Sequence, residues 1–229
     1  MIEVVVYALV WLVSMPGRAV VTYWRNRYRR RRLTAWAAAS GWSFVGSDRS
    51  LVDRWPGAPF GFGRQRRADE VMIGTWAGRP AVSFTYSCGS GSGSSRTTRR
   101  WHVLALPLPA PLPPLELTPD GPGSTVLTML GLQDIQFESE DFNRAWRVAS
   151  TDARFAHAVV HPRLMERLLA PDAVGSRLRL AGTDILSWAD GPTSTDAIPR
   201  RLALLESVIE SVPPYIWEDH GDGVPQSPR

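Results

Sequence analysis

The chain starts with its longest apolar run, Val4–Trp24, which holds one charged residue, Arg18. As a single helix this run would be roughly 31 Å long, about the thickness of a bilayer core. Arginines follow it at once, and positive charge after an apolar run argues against a cleaved signal peptide. We therefore expect one membrane-spanning helix, with the arginine-rich end and the bulk of the chain in the cytoplasm. Two alternatives stay open: a helix in the membrane interface, and an apolar helix packed on the chain's own core or on a membrane partner.

The region from Glu70 to Cys88 alternates apolar and polar residues, which predicts a β-hairpin around a turn at Ala77–Pro80. The second strand carries apolar side chains on one face and hydroxyls on the other: Val82, Phe84, Tyr86 and Cys88 against Ser83, Thr85 and Ser87. We expect the hydroxyl face to lie in water. Trp101–Leu108 is predicted as a third strand, and Pro107–Pro114 must be extended because each proline fixes its own φ angle.

The residue pattern of the C-terminal half predicts helices and a second hairpin. Arg177–Ala189 is predicted to reverse at Gly182, and two short helices are predicted at Thr151–Val160 and Pro162–Leu169, the first capped by Thr151 or Asp152. After Asp196, the expected cap of the last helix, apolar residues recur at helical spacing: Ile198, Leu202, Leu205, Ile209 and Val212.

These elements predict an α+β fold class. It would consist of a mainly antiparallel sheet with a packed C-terminal helix, preceded by the N-terminal apolar helix. The expected organisation is an anchor and arginine-rich segment over residues 1–32, a single cytosolic domain over 33–217 and a disordered tail over 218–229.

The positive charge of the chain is concentrated in one segment. The formal net charge is +4 and the isoelectric point about 9.8. Residues 1–32 hold seven arginines and one glutamate, a net charge of +6, so the remaining 19 basic and 21 acidic residues carry a net −2. Nucleic-acid binding is therefore disfavoured, because it requires a basic surface on the folded domain.

The candidate chemical groups form no recognisable catalytic or metal motif. Cys88 is the only cysteine, so a metal site would depend on histidines and carboxylates. His157 and His161 have the spacing of a helical metal pair, but Pro162 takes His161 out of helical geometry and no acidic residue lies between them. No nucleophile elbow of the Gly-x-Ser-x-Gly type is present. We predict no catalytic residue, no metal and no cofactor.

Three stretches of the sequence carry a resemblance to other proteins: Pro59–Gly61, Phe137–Val148, and Asp152–Leu169 with its Met165. They resemble an uncharacterised actinobacterial family whose members carry an N-terminal membrane segment ahead of one cytosolic α+β domain. Where that family tends to have phenylalanine this chain has Trp146, an apolar exchange. The family has no assigned activity, so the resemblance implies an anchor and a single domain without implying a reaction.

We expect a membrane-tethered cytosolic domain at the cell membrane that acts in binding or as a scaffold. Its partner would be anionic membrane lipid, or a membrane or cytosolic protein, and not nucleic acid. Basic residues beside anionic lipid contribute about 1 kcal/mol each, and the residues expected at the membrane surface are Arg25, Arg27, Arg29, Arg30, Arg31 and Arg32. The alternative is an enzyme whose His102, His157 or His161 acts with carboxylates such as Asp152 or Glu138. That alternative requires these groups to line one cleft.

Overall fold

The computed structural model describes residues 2–91, 97–119 and 131–221, and for residues 2–19, 22 and 221 it describes the backbone alone. Within these ranges the chain forms six α-helices: α1 (Ile2–Ala39), α2 (Glu140–Ala145), α3 (Ala153–Val159), α4 (Pro162–Leu168), α5 (Ile198–Ser211) and α6 (Pro214–Gly221). It also forms seven strands: β1 (Ser43–Ser47), β2 (Arg64–Trp76), β3 (Arg79–Ser90), β4 (Thr97–Pro119), β5 (Gln133–Ile135), β6 (Trp146–Ser150) and β7 (Arg177–Asp190).

The long strand β4 is the centre of one antiparallel sheet of order β1-β2-β3-β4-β6-β5. Residues 97–105 of β4 pair with β3, and residues 115–119 pair with β6. Strand β7 pairs with both halves of β4. The prediction of an α+β fold with a mainly antiparallel sheet and C-terminal helices is therefore confirmed. Of the two short strands, β6 was not expected from the sequence, whereas the alternation of Ile135 and Phe137 predicts a strand near β5.

Strand β7 corrects the prediction of a second hairpin. Residues 177–190 run as one strand, and Gly182 has a φ angle of +60° where the chain was expected to reverse. Leu180 pairs with Leu115 and Ile185 pairs with Leu106, so the two sides of Gly182 follow the same partner strand. The pairing register shifts between Pro107 and Leu112 of β4. Gly182 therefore absorbs a bulge in the proline-rich stretch of the sheet instead of forming a turn.

The predicted first hairpin is present. Strands β2 and β3 are joined at Ala77 and Gly78, whose φ angles are both positive, as the tightest hairpin turns require. Helix α5 also has the predicted apolar stripe buried. Its expected cap is wrong, because Asp196 lies in a short 3-10 turn and the residue at the N-cap is Ala197, without a side-chain capping bond.

Helix α1 ends near a glycine, a residue typical of helix C-termini. Gly41 has a φ angle of +70°, and the Trp42 N–H donates to the carbonyl oxygen of Ala37 at 2.7 Å, a helix-ending arrangement that favours glycine. The chain then turns so that Trp42 packs edge-on to Trp36, with ring centroids 5.7 Å apart. Gly74 of β2 makes room for the Trp42 ring, which a side chain at that position would contact.

The two faces of the sheet carry separate apolar cores. One contains Leu33 and Ala37 of α1 together with buried residues of α2–α6, and it covers one face of β4 and β7. The other lies under the segment between β1 and β2, where Trp55 and Phe60 pack against Phe84. Each face of the sheet thus carries an apolar core over part of its area, and neither is the fully solvent-facing side that the alternating pattern suggested.

Helix α1 is continuous through Pro16 and across residues 32 and 33. In the part of the chain that the structure describes, no helix combines the length and apolar character needed to cross a membrane. Most of the apolar run Val4–Trp24, on which the anchor prediction depends, lies outside the residues whose side chains are described. Residues 222–229, most of the predicted tail, likewise lie outside the described residues.

Candidate functional site

The arginine-rich segment of α1 has two sides. Four of its six arginines line a groove between α1 and the sheet: Arg25, Arg29, Arg30 and Arg32. Arg27 and Arg31 are exposed and do not line it. They share one helix face with Val20 and Trp24, which are 52% and 61% exposed, because these positions are four, three and four residues apart. We call Val20, Trp24, Arg27 and Arg31 the outward face of α1.

Arg29 joins α1 to the sheet through Glu70. Its Nη2 donates to Glu70 Oε2 at 2.8 Å and to the Thr193 carbonyl oxygen at 2.7 Å, and its Nε donates to Glu70 Oε1. Two parallel bonds fix the orientation of both side chains. The hydrogen bond to Glu70 raises the pKa of Arg29. Burial raises the pKa of Glu70, but bonds from Arg29 and Thr85 and the Arg29 charge outweigh it, so this pKa lies below its usual value.

Glu70 reaches this position through an irregularity in strand β2. The pairing of β2 with β3 shifts register between Asp69 and Met72, and Glu70 has a φ angle of +57°. Such a bulge re-aims a side chain without ending the strand. Glu70 Oε2 thereby accepts a hydrogen bond from Thr85 Oγ1 at 2.6 Å.

The hydroxyl face of β3 is buried, so the expectation that it lies in water is wrong. Ser83, Thr85 and Ser87 are at most 9% exposed. Thr85 Oγ1 accepts from the Thr193 N–H at 2.9 Å and lies 2.8 Å from Thr193 Oγ1. Helix α1 and the segment 192–196 lie over this face. Thr85 finds its partner Thr193 in that segment, and Ser83 bonds to His102 of the neighbouring strand.

His102 lies behind the groove in a second buried network. Its Nδ1 accepts from Arg201 Nη1 at 3.2 Å and from the Ser194 N–H at 3.3 Å. The ring proton is therefore on Nε2, which donates to Ser83 Oγ at 3.0 Å. Burial, followed by the charges of Arg201 and Arg29, lowers the pKa of His102 to about 3. The imidazole is neutral at physiological pH.

Arg201 is a buried cation, 6% exposed. It donates to Ser187 Oγ, to His102 Nδ1 and to the His102 carbonyl oxygen, all of them uncharged acceptors. Among the described residues no carboxylate lies within salt-bridge distance of it. Burial, with a smaller effect of Arg200, lowers the pKa of Arg201 to about 10, so it stays charged and adds positive potential behind the groove.

The groove itself has a volume of about 1300 Å³. Its arginines are the four from α1 together with Arg67 of β2 and Arg100 of β4, and its carboxylates are Asp69, Glu70 and Asp196. Six arginines against three carboxylates give a formal charge of +3. Ser87 pairs in register with Arg67 on one side and Arg100 on the other, so these three side chains project from the same face of the sheet.

The histidines proposed for an enzyme do not meet. His102 belongs to the network of Ser83 and Arg201, whereas His157 packs on Phe137 with ring centroids 4.7 Å apart. His161 Nε2 contacts the Ser211 carbonyl oxygen at 3.1 Å. Asp152 caps α3 by accepting from the Phe155 N–H, and Glu138 is exposed. No cluster of three or more metal-ligating side chains occurs among the residues described.

Four residues of the site were not predicted from the sequence: Glu70, Thr85, Thr193 and Arg201. Their partners are far apart in the chain, 41 residues for Arg29 and Glu70 and 99 for His102 and Arg201. One signal was available. The polar face of β3 from Ser83 to Ser87 holds small hydroxyls and no charged side chain, which is more typical of a covered polar face than of a solvated one.

Comparison with known proteins supports the fold. No protein-family model matches the chain, and no curated protein matches it in sequence. Among solved structures, the crystal structure of the mycobacterial trehalose monomycolate transport factor A, TtfA, matches with a TM-score of 0.54 at 19% identity. The match covers 86% of this chain and 98% of that one. The likeness concerns the fold alone.

Proposed function

We propose that the chain is a non-enzymatic accessory or scaffold domain of a membrane-associated process, held at the cell membrane by α1 with its bulk in the cytoplasm. The apolar run Val4–Trp24 would be the single-pass anchor. The outward face of α1 would lie against anionic lipid headgroups. The likeness in fold to a transport factor supports an accessory role. At 19% identity, the cargo and the partners of that protein cannot be assigned to this chain.

The observation that carries this proposal is the outward face. Val20 and Trp24 are more than half exposed, and they continue along α1 directly into exposed Arg27 and Arg31. An aromatic residue followed within one or two turns by arginines is the arrangement that favours a membrane interface, with the ring at headgroup depth and the guanidinium groups beside phosphates. Arg29 forms a salt bridge with Glu70 on the groove side of α1. Arg27 and Arg31 face outward and are the arginines that would contact lipid.

The enzyme alternative has weaker support. Its three histidines contact different elements, and the buried His102 is held neutral by two donors on Nδ1 instead of facing a carboxylate. A general base must reach the proton that it removes. The exposed His157 has no described carboxylate partner, and the capping bond of Asp152 occupies that side chain.

Vesicle flotation of the chain without residues 1–17 tests the lipid contact, because an inserted anchor would hold the full chain on neutral and anionic vesicles alike. Vesicles of phosphatidylcholine, with and without phosphatidylglycerol, would be compared at low and high salt. We expect stronger binding to the anionic vesicles and weakening with salt, because surface charges are screened. The Arg27→Gln/Arg31→Gln variant should lower the partition coefficient about 30-fold, since each arginine near anionic lipid contributes about 1 kcal/mol.

The matched control is Arg154→Gln/Arg163→Gln, which removes two exposed arginines from α3 and α4. It should leave binding within about twofold of the unaltered chain. Equal binding to neutral and anionic vesicles, or equal loss in both double variants, would overturn the lipid contact. Binding to native membranes but not to protein-free vesicles would assign the outward face to a protein. Retention of the full chain in cell membranes after a carbonate wash tests the anchor separately.

A further inference from the structure

The groove beside α1 gathers several arginines that have no carboxylate partner among the described residues. In other parts of the protein some arginines are paired, as Arg54 is with Asp184 and Arg177 with Asp190. In the groove Arg29 alone is paired. The other five form no salt bridge with any residue that the structure describes: Arg25, Arg30, Arg32, Arg67 and Arg100.

These arginines come from three different elements and converge on one surface. Arg67 and Arg100 flank Ser87 on the sheet, and Arg25, Arg30 and Arg32 project from the helix above. Arg30 lies over the Phe44 ring, 5.6 Å from its centroid, which restricts where its guanidinium can go. Five like charges gathered on one surface create a positive potential that attracts anions.

We propose that this groove is a binding site for a phosphate-bearing ligand, with Arg67 and Arg100 as its floor and Arg25, Arg30 and Arg32 as its wall. The site is separate from the outward face of α1. It requires neither the anchor nor the lipid contact proposed above.

The chemistry of the lining favours phosphate over a single carboxylate. Guanidinium groups bind phosphate through paired N–H donors, and several of them around one anion exceed what one carboxylate needs. Hydroxyls of Ser87, Thr98 and Ser194 also line the groove and can donate to further phosphate or ligand oxygens. Glu70 does not repel the ligand strongly, because Arg29 neutralises it with two hydrogen bonds.

Titration of the full chain with inorganic phosphate, pyrophosphate and glycerol 3-phosphate tests the site. The strand β4 offers a matched pair of variants, because Arg99 and Arg100 are adjacent, both exposed, and on opposite faces. Arg100→Gln and Arg67→Gln should each weaken binding about tenfold, whereas Arg99→Gln should change it less than about twofold. Arg100→Lys keeps the charge without the guanidinium fork and should fall between Arg100→Gln and the unaltered chain.

Several results would overturn the proposal. No saturable binding of any of the three anions would do so, as would equal weakening by Arg99→Gln and Arg100→Gln, which would indicate bulk charge. A readout that does not depend on variants is modification of arginines by phenylglyoxal followed by mass spectrometry. Saturating pyrophosphate should protect Arg67 and Arg100 and leave Arg99 reactive, and equal protection of all three would contradict the site.

Two sources of the phosphate group can be separated. Glycerol 3-phosphate represents a free ligand, and vesicles containing phosphatidic acid represent a lipid headgroup. If vesicle binding weakens with Arg100→Gln but not with Arg99→Gln, the groove takes the headgroup. If only glycerol 3-phosphate binding weakens, the groove takes a soluble ligand. If neither glycerol 3-phosphate nor phosphatidic acid binds in the groove, the proposed lipid contact of Arg27 and Arg31 is unaffected. The two proposals can therefore fail independently.

Discussion

The protein has two arginine–glutamate ion pairs that lie in different surroundings. Arg179 and Glu116 are register partners on β7 and β4, and both are nearly inaccessible. Arg179 also donates to the Pro56 carbonyl oxygen at 2.6 Å and lies over the Trp188 ring at 5.0 Å. Arg29 and Glu70 instead connect a helix to the sheet, with side-chain exposures of 35% and 21%.

The difference lies in what surrounds each pair. The ring, the carbonyl and the neighbouring strand enclose Arg179 and Glu116, so no ligand can reach them. The pair of Arg29 and Glu70 forms the boundary of an open groove in which five further arginines have no described carboxylate partner. The same two residue types are thus structural in one place and border a binding surface in the other.

The largest expected effect comes from breaking the enclosed pair. Glu116→Gln leaves the Arg179 charge buried without a counter-charge, and we expect a loss of about 3–5 kcal/mol in the free energy of unfolding. Urea denaturation measures it. Replacing both residues with apolar ones, Glu116→Leu with Arg179→Met, should recover most of the loss. A loss below about 1 kcal/mol for Glu116→Gln would mean that the pair is not enclosed as described.

A pH titration of stability tests the burial of His102 beside the arginines behind the groove. His102 has a folded-state pKa of about 3 against an ordinary value of 6.5, so below pH 6.5 the unfolded chain binds the proton first. Stability should therefore fall as pH falls through this window, by up to about 1.4 kcal/mol per unit, or roughly 2 kcal/mol by about pH 5.

The matched variants are His102→Asn, which keeps an acceptor for Arg201 and Ser194, and His157→Asn at an exposed position. The pH dependence between about pH 6.5 and pH 5 should largely disappear in the first and persist in the second. An unchanged slope in His102→Asn would show that another group controls it.

Breaking the groove pair should have a smaller effect. Glu70→Gln removes a half-exposed ion pair and weakens the bond from Thr85, and we expect a loss of about 1–2 kcal/mol. The loss should shrink as salt is added, whereas the effect of Glu116→Gln should not, since buried charges are screened less. Urea denaturation at low and high salt compares them. Equal salt dependence in the two variants would remove the distinction between the pairs.

We expect the smallest loss of stability from removing a helix cap that lies away from both ion pairs. The same variant serves as a control for phosphate binding. Asp152 accepts from the Phe155 N–H at 3.0 Å at the start of α3. Asp152→Ala should lose about 1 kcal/mol of unfolding free energy. Thermal unfolding should show this loss, and phosphate titration should show unchanged affinity. A change in phosphate affinity in this variant would indicate that stability, and not the groove, controls the binding readout.

Local patterns in the sequence predicted much of the architecture. The alternating residues of β2 and β3, the glycine at the end of α1 and the apolar stripe of α5 each depend on neighbours within a few residues. Such features are set by backbone geometry and by the period of the apolar pattern, so they can be derived without knowing the rest of the fold.

The tertiary structure decided which polar faces are covered. An alternating strand looks the same whether water or another part of the chain lies above it. Thr193 of the segment 192–196 contacts Thr85, and the position of α1 brings Arg29 to Glu70. Gly182 likewise could begin a turn or sit in a bulge, and the pairing of Leu180 and Ile185 with a single strand selected the bulge. The groove joins residues separated by tens of positions, because contacts of that range depend on packing and leave no local period in the sequence.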